Sequence, residues 1–157
     1  MQQTSCFYEI IHPSDLPGIA RLFVEVFNGR PWNETWSYDS AFFRLTNITA
    51  TPGFMGIKAI KDRSIVAFVI GYCEPFDEGT DFFVKEMCVA PPLQRQGIGT
   101  ELLNDLKKRL ISAGMRRVYL LASSGGPAVK FYERNGLRVI KRMIVMGQRL
   151  GTGRTSR

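Results

Sequence analysis

Gln94-Arg95-Gln96-Gly97-Ile98-Gly99-Thr100 follows an apolar stretch, Phe82 to Ala90, that reads as a strand, and it opens a run with helical apolar spacing. Backbone N–H groups exposed at a helix start, together with the positive end of the helix dipole, form a ready site for phosphate or pyrophosphate. Gly97 and Gly99 lack a Cβ, so the chain turns sharply there and the amides of residues 95 to 100 come close to a ligand. The segment predicts a phosphate-bearing cofactor. A dinucleotide fold of the Rossmann type needs a third glycine where Leu102 stands and an acidic residue closing the next strand where Ser123 stands, and it fails on both.

Working outward, apolar spacing divides the rest of the chain. Downstream, Ile98, Leu102, Leu103, Leu106, Leu110 and Ile111 form a one-sided stripe ended by Gly114, and Val118 to Ala122 reads as a buried strand. Pro127 suits the first turn of a last helix and Gly136 its end. One last strand or a broken pair is expected within Arg138 to Leu150, and Gly151 to Arg157 reads as a disordered basic tail. Upstream, Pro91-Pro92 stops the strand, Glu74 to Asp81 reads as an acidic loop, and Phe54 to Ile60 with Ser64 to Tyr72 reads as a hairpin across Lys61-Asp62-Arg63. Phe7 to Ile11 is the expected first strand. A helix capped by Ser14 carries Ile19, Leu22, Phe23, Val26 and Phe27 to Asn28-Gly29, and a shorter one over Ser37 to Thr46 turns Ala41, Phe42 and Leu45 inward. The order β-α-α-β-β-β-α-β-α-β describes a single α/β domain over residues 1–150, in keeping with a 157-residue chain that is 45% apolar.

Charge is unevenly placed. Residues 1–81 hold six Lys/Arg against ten Asp/Glu, net −4, and residues 82–157 hold fifteen against four, net +11, for +7 in all. A basic half carrying the glycine loop suits a polyanionic cofactor, and an acidic half suits a cationic acceptor. On charge alone, nucleic acid binding stays open. No apolar run reaches the length of a membrane span, and Met1 to Phe7 lacks the features of a signal peptide, so a cytoplasmic protein without membrane contact is expected. Cys6, Cys73 and Cys88 have no paired spacing and His12 is the sole histidine, which argues against disulfides and against a metal site.

The pattern Gln-x-x-Gly-x-Gly at Gln94 to Gly99, the strand before it, and Phe131-Tyr132-Glu133-Arg134-Asn135-Gly136-Leu137 after it together resemble the acetyl-CoA-binding core of the GNAT superfamily of N-acetyltransferases. The resemblance is specific over residues 80 to 137. It implies the GNAT fold, a mixed and strongly bent sheet with helices on both faces, and acetyl-CoA as co-substrate with no metal. The implied cofactor contacts are Met87, Cys88 and Val89 on the strand, Gln94, Arg95, Gln96, Gly97, Ile98, Gly99 and Thr100 at the loop, and Tyr132. An asparagine common in the family is replaced by Gly125, as in aminoglycoside-acetyltransferase-like members, with Ser124 or backbone taking over its contact. The resemblance further implies Glu86 as the base that takes a proton from the acceptor amine, Tyr132 as the acid for the departing thiolate, and a homodimer as a common assembly.

Each role has a plainer counterpart. Glu86 also reads as a strand-edge carboxylate bonded to nearby amides or paired with an arginine, Tyr132 as a half-buried helix-flank residue, and Cys88 as a small hydrophobe rather than a nucleophile. For the acceptor side, Trp32 and Glu34 in Pro31 to Trp36 combine an aromatic face with a carboxylate, as an alkylammonium requires, while Trp36 suits inward packing. Asp81, with Asp77 and Glu78, adds negative potential if its loop folds over the cleft, and Glu86 completes the set. A small primary amine is the expected acceptor. A protein or peptide N-terminus is the alternative within the enzyme class, and a non-catalytic acyl-CoA- or nucleic-acid-binding module the alternative outside it.

Overall fold

Ile19, Leu22, Phe23, Val26 and Phe27 recur three and four residues apart, so α1 (Leu16–Asn28) turns one continuous apolar stripe inward. In the computed structural model, which describes residues 5 to 151, the helix starts after a short 3₁₀ turn, Pro13–Asp15, rather than at a Ser14 cap. Asp15 holds that corner. Its carboxylate accepts from the His12 N–H at 2.7 Å and from Nζ of the buried Lys58 at 2.7 Å. α2 (Tyr38–Thr49) is capped by Ser37, whose Oγ accepts from the Ser40 N–H at 3.1 Å, and it outruns its expected end at Thr46 because Ile48 continues the stripe of Ala41 and Leu45.

β1 (Phe7–Ile10), β2 (Phe54–Lys61), β3 (Ser64–Phe76), β4 (Gly79–Val89) and β5 (Arg117–Leu120) form one sheet in that order. All neighbours are antiparallel except β4 and β5, which are parallel and joined through α3 (Ile98–Ser112). α1 and α2 cover one face over Phe68, Ile70 and Cys88, and α3 covers the other over Ile57, Ala67, Val69, Phe82 and Val84. Phe131 and Tyr132 of α4 (Pro127–Arg134) pack on the α3 side. No helix among the described residues is long and apolar enough to cross a membrane.

A β-bulge in β4 sets up the site. Ile70 pairs with Glu86 and Gly71 with Val84, which leaves Lys85 as an extra residue. One inserted residue reverses the alternation of side chains. Phe82 and Val84 therefore face α3, whereas Cys88 belongs to the core under α1 and α2, and Glu86 faces the same side as Cys88. Without the insertion, Glu86 would point at α3.

Several expectations are corrected. Glu74 to Asp81 is no loop: β3 runs to Phe76 and β4 starts at Gly79, so only Asp77 and Glu78 turn the hairpin. β5 ends at Leu120, with Leu121 64% exposed, because its pairing with β4 stops at Val84, where the bulge begins. Ile111 is 74% exposed and lies off the buried stripe of α3. The strand expected within 138–150 is not formed: Val139, Met143, Ile144, Val145, Met146 and Leu150 are exposed, and β5 offers an edge of only four residues. The basic tail expected over 151–157 lies, apart from Gly151, outside the described residues.

Candidate active site

β4 continues five residues past the point where β5 leaves it, and the strands open between them. The backbone that faces this opening follows from the register. The Ala90 N–H donates to the Val66 carbonyl at 2.7 Å, so the main-chain groups of Ala90 point to β3, and by alternation those of Met87 and Val89 point into the opening. The Val89 carbonyl accepts from Nε2 of Gln94 at 3.0 Å, which leaves the Val89 N–H and the main-chain groups of Met87 facing the opening.

The glycine loop closes the lower end. After the 3₁₀ turn Pro91–Leu93, Arg95 at φ 60° and Gly97 at φ 89° take left-handed conformations that turn successive N–H groups toward one side. Among the described residues, the N–H groups of residues 95 to 100 meet no main-chain acceptor, and the first bonded amide is that of Glu101, 3.0 Å from the Gly97 carbonyl. Six free donors at the start of a 15-residue helix fit a pyrophosphate. The two glutamines brace the loop instead: Gln94 holds Val89, and Nε2 of Gln96 donates to the Pro92 carbonyl at 2.9 Å. Gly99 also differs from expectation. A Cβ there would lie 3.3 Å from the Phe131 ring and 3.5 Å from Val89, so this glycine serves the close packing of α4 on α3 and β4. Ile98 is buried in the α3 core and offers only its amide, Thr100 is half-buried on the first turn, and Ser124 sits in the exposed turn before α4.

Glu86 is bound by Arg44 of α2, whose Nε–H and Nη2–H both donate to Oε1, at 2.7 and 2.5 Å. Burial pushes the Glu86 carboxyl above its ordinary range, against the pull of Arg44 and then Lys85. The Tyr132 phenol is pushed up to about 12, by burial first and then by Cys88 and Glu86, so it keeps its proton at neutral pH. Tyr132 comes from the α3 side and Glu86 from the α1/α2 side, so the two meet electrostatically where the strands part. Cys88 is buried and its thiol is pushed far above its usual value, mainly by burial, which leaves it a protonated, inert core residue. Among the described residues, no group of three His, Cys, Asp or Glu side chains could hold a metal.

On the acceptor side, Trp32 is 39% exposed and meets Phe27 edge-on at 5.4 Å, while Trp36 packs edge-on against Phe23 at 5.2 Å. Glu34 accepts from Nε1 of Trp36. Asp81 is removed from this set: it is fully buried, 3.0 Å from Nε of Arg116 and 2.5 Å from Nη2 of Arg117. Arg116 first and Arg117 second hold its carboxyl below the usual range in spite of burial. Its ionised form therefore stabilises the fold at neutral pH, and this is lost as pH falls through the lowered value. Asp81→Asn is expected to lower Tm by about 5 °C at pH 7, with a gap to wild type that narrows in acid, as a scanning calorimeter would show.

Two features escaped the sequence reading. Arg44 stands on the inward stripe of α2, three residues after Ala41 and four before Ile48, where a charge needs a buried partner. Phe83 of β4 stacks on Tyr119 of β5 at 4.7 Å and meets Tyr72 of β3 edge-on, with Lys85 over the Phe83 ring at 4.7 Å and Glu74 bonded to the Tyr119 hydroxyl. This row stands on the Glu86 side of the sheet.

The profile of the Acetyltransferase (GNAT) family matches residues 16–137, and the chain belongs to that family of acetyltransferases, whose members use acetyl-CoA. Solved structures repeat the fold. The aminoglycoside acetyltransferase meta-AAC0020 from an uncultured soil metagenomic sample, in complex with trehalose, superposes with a TM-score of 0.74 at 20% identity, covering 96% of this chain and 100% of that one. AAC(6')-Iy in complex with the bisubstrate analog CoA-S-monomethyl-acetylneamine gives 0.72 at 15% identity, covering 93% and 99%. A ribosomal-protein-alanine N-acetyltransferase from Brucella melitensis biovar Abortus 2308 gives 0.74 at 19% identity, covering 94% and 100%.

Proposed function

We propose that the protein transfers the acetyl group of acetyl-CoA to the primary amine of a small cationic molecule, by direct attack and without a covalent enzyme intermediate. The observation that supports this is the opening beside β4, which the Val89 N–H faces and the glycine loop with its free amides follows, with the Glu86 carboxylate and the Tyr132 phenol near enough to influence each other electrostatically. Acetyl-CoA supplies an acetyl group activated as a thioester. The amides of residues 95 to 100 would hold its diphosphate, and Met87 would pair with its pantetheine arm through its main chain. Glu86 takes the proton from the acceptor ammonium at a carboxylate oxygen, which frees the nitrogen lone pair for attack. The Val89 N–H stabilises negative charge developing on an acyl oxygen. Tyr132 holds a proton at its hydroxyl for the departing thiolate.

Trp32, Glu34 and Glu86 supply the aromatic face and negative charge of the acceptor side. The two aminoglycoside acetyltransferases that share the fold support a small polyamine or aminosugar, and the ribosomal-protein-alanine enzyme supports a peptide N-terminus as the competing acceptor. The nucleic-acid reading loses ground, since Lys107 is bonded to the Asn135 carbonyl and Arg109 to Asp105 at 2.7 Å. Thiol release from acetyl-CoA, measured across amines and N-terminal peptides beside a salt-dependent DNA-binding assay, tests the proposal. Release with no amine or peptide, together with DNA binding, would overturn it.

The loop has its own test. CoA at about a hundredfold excess over Kd should raise the Tm of the wild type by about 5–10 °C. Gly97→Trp forces a bulky side chain into a left-handed position within the cradle and should abolish that rise. An unchanged rise would contradict the loop assignment.

A further inference from the structure

We infer that Arg44 is a positioning residue for deprotonation of the acceptor: its two N–H bonds converge on Oε1 of Glu86, hold the carboxylate by that oxygen and leave Oε2 as the oxygen that receives the proton. The inference rests on the acetyl-transfer reading of the site given above. In the step, an N–H bond of the acceptor ammonium breaks, its electron pair stays on nitrogen, and an O–H bond forms at Oε2.

Arg44 is itself held in place. Its guanidinium lies over the Trp36 ring, 5.7 Å from the centroid. Trp36 is held through both its backbone and its ring. The Trp36 N–H donates to Oδ1 of Asn28 at 2.8 Å, Nδ2 of Asn28 donates to the Trp36 carbonyl at 2.9 Å, and the indole N–H donates to Glu34. Phe23 packs on the ring edge at 5.2 Å. The segment between α1 and α2 thus fixes a tryptophan, the tryptophan fixes an arginine, and the arginine fixes the base.

Fold stability does not account for this arrangement. Glu86 is 11% exposed and Arg44 39%, and a pair so placed contributes little net stability where apolar residues would continue the α2 stripe of Ala41, Leu45 and Ile48. What the pair does provide is an ionised carboxylate at a site whose burial favours the protonated form. The other charged or titratable groups facing Glu86 are Lys85 on the bulge, Glu34 before α2, Cys88 on β4 and Tyr132 on α4. Of these, Lys85 alone works in the same direction as Arg44, and it sits over the Phe83 ring with no bond to the carboxylate.

The test is a titration of glutamate side-chain carboxyls by carbon-13 NMR on the full chain without substrate, with the Glu86 signal identified by its loss in Glu86→Gln. In Arg44→Met, the Glu86 signal should titrate at least about one pH unit higher than in wild type, a tenfold change in its acid constant. The acid limb of kcat/KM should move with it, and kcat should fall more than KM rises. Arg44→Lys keeps the charge but not the two-pronged grip, so its titration should move less than that of Arg44→Met while kcat stays below wild type. A Glu86 titration unchanged in Arg44→Met overturns the inference. If that variant does not fold, Arg44→Lys decides, and wild-type values of both titration and kcat overturn it. A shifted carboxyl in a protein that acetylates no amine defeats the enzyme reading, whereas acetyl transfer with an unshifted carboxyl defeats the role given to Arg44.

Discussion

Glu86→Gln is expected to lower kcat for acetyl transfer at neutral pH by about 10³-fold, the order of magnitude that a positioned general base contributes. Glutamine keeps the shape of the side chain and an oxygen for Arg44 to hold, so the loss reports basicity rather than packing. The pH profile carries the sign. Burial pushes the Glu86 carboxyl above its ordinary value, Arg44 and Lys85 pull against that, and in the proposed base role the ionised form would be the working one. Wild-type kcat/KM should therefore fall as pH drops through a value above that of a free glutamate, and Glu86→Gln should show no such limb. The Tyr132 phenol, pushed up to about 12, stays protonated across this range and does not blur the reading. Continuous thiol detection with a saturating amine measures both quantities. A variant that keeps activity within about tenfold of wild type and retains the acid limb would remove Glu86 from the base role.

What the sequence made legible was whatever is decided locally. The stripe of α1, the arrest of β4 at Pro91-Pro92, and the free amides after Gln94 depend on residues within one or two turns of one another, and each lies where spacing put it. What escaped was decided by pairing between distant strands. The bulge at Lys85 has no mark in Phe82 to Ala90, where apolar and polar residues run on without interruption, yet it turns Glu86 toward α2 and ends the pairing of β5 after Val84. The same distance effect misassigned Asp81. Beside Asp77 and Glu78 it read as part of an acidic loop, and only the parallel pairing of β4 with β5 sets Asp81 opposite Arg117, next to Arg116, where its charge is consumed. Arg44 carries a local signal, since a half-buried guanidinium beside the apolar stripe of a helix favours a nearby anion. A charged residue on an apolar stripe points to a counter-charge in the neighbouring layer, and the fold is what identifies that counter-charge as Glu86.

Tyr132→Phe removes a single oxygen and should lower kcat about 10²-fold while leaving Kd for CoA within about threefold. The ring has reasons to stay where it is: it meets Phe131 at 5.1 Å and packs against the α3 core, contacts that phenylalanine retains. What the variant loses is a proton held by burial, and by the nearby Cys88 and Glu86, in a form that does not dissociate at neutral pH. Such a donor acts only as negative charge gathers on sulfur, so its removal should show in turnover rather than in binding. Calorimetry with CoA and steady-state rates on the same preparation separate the two, and equal losses in both would assign Tyr132 to binding alone. The choice of acyl donor sharpens the test. A thioester built on a more acidic thiol needs less help in departing, so the defect of Tyr132→Phe should shrink with such a donor, whereas a defect of packing would be the same for both.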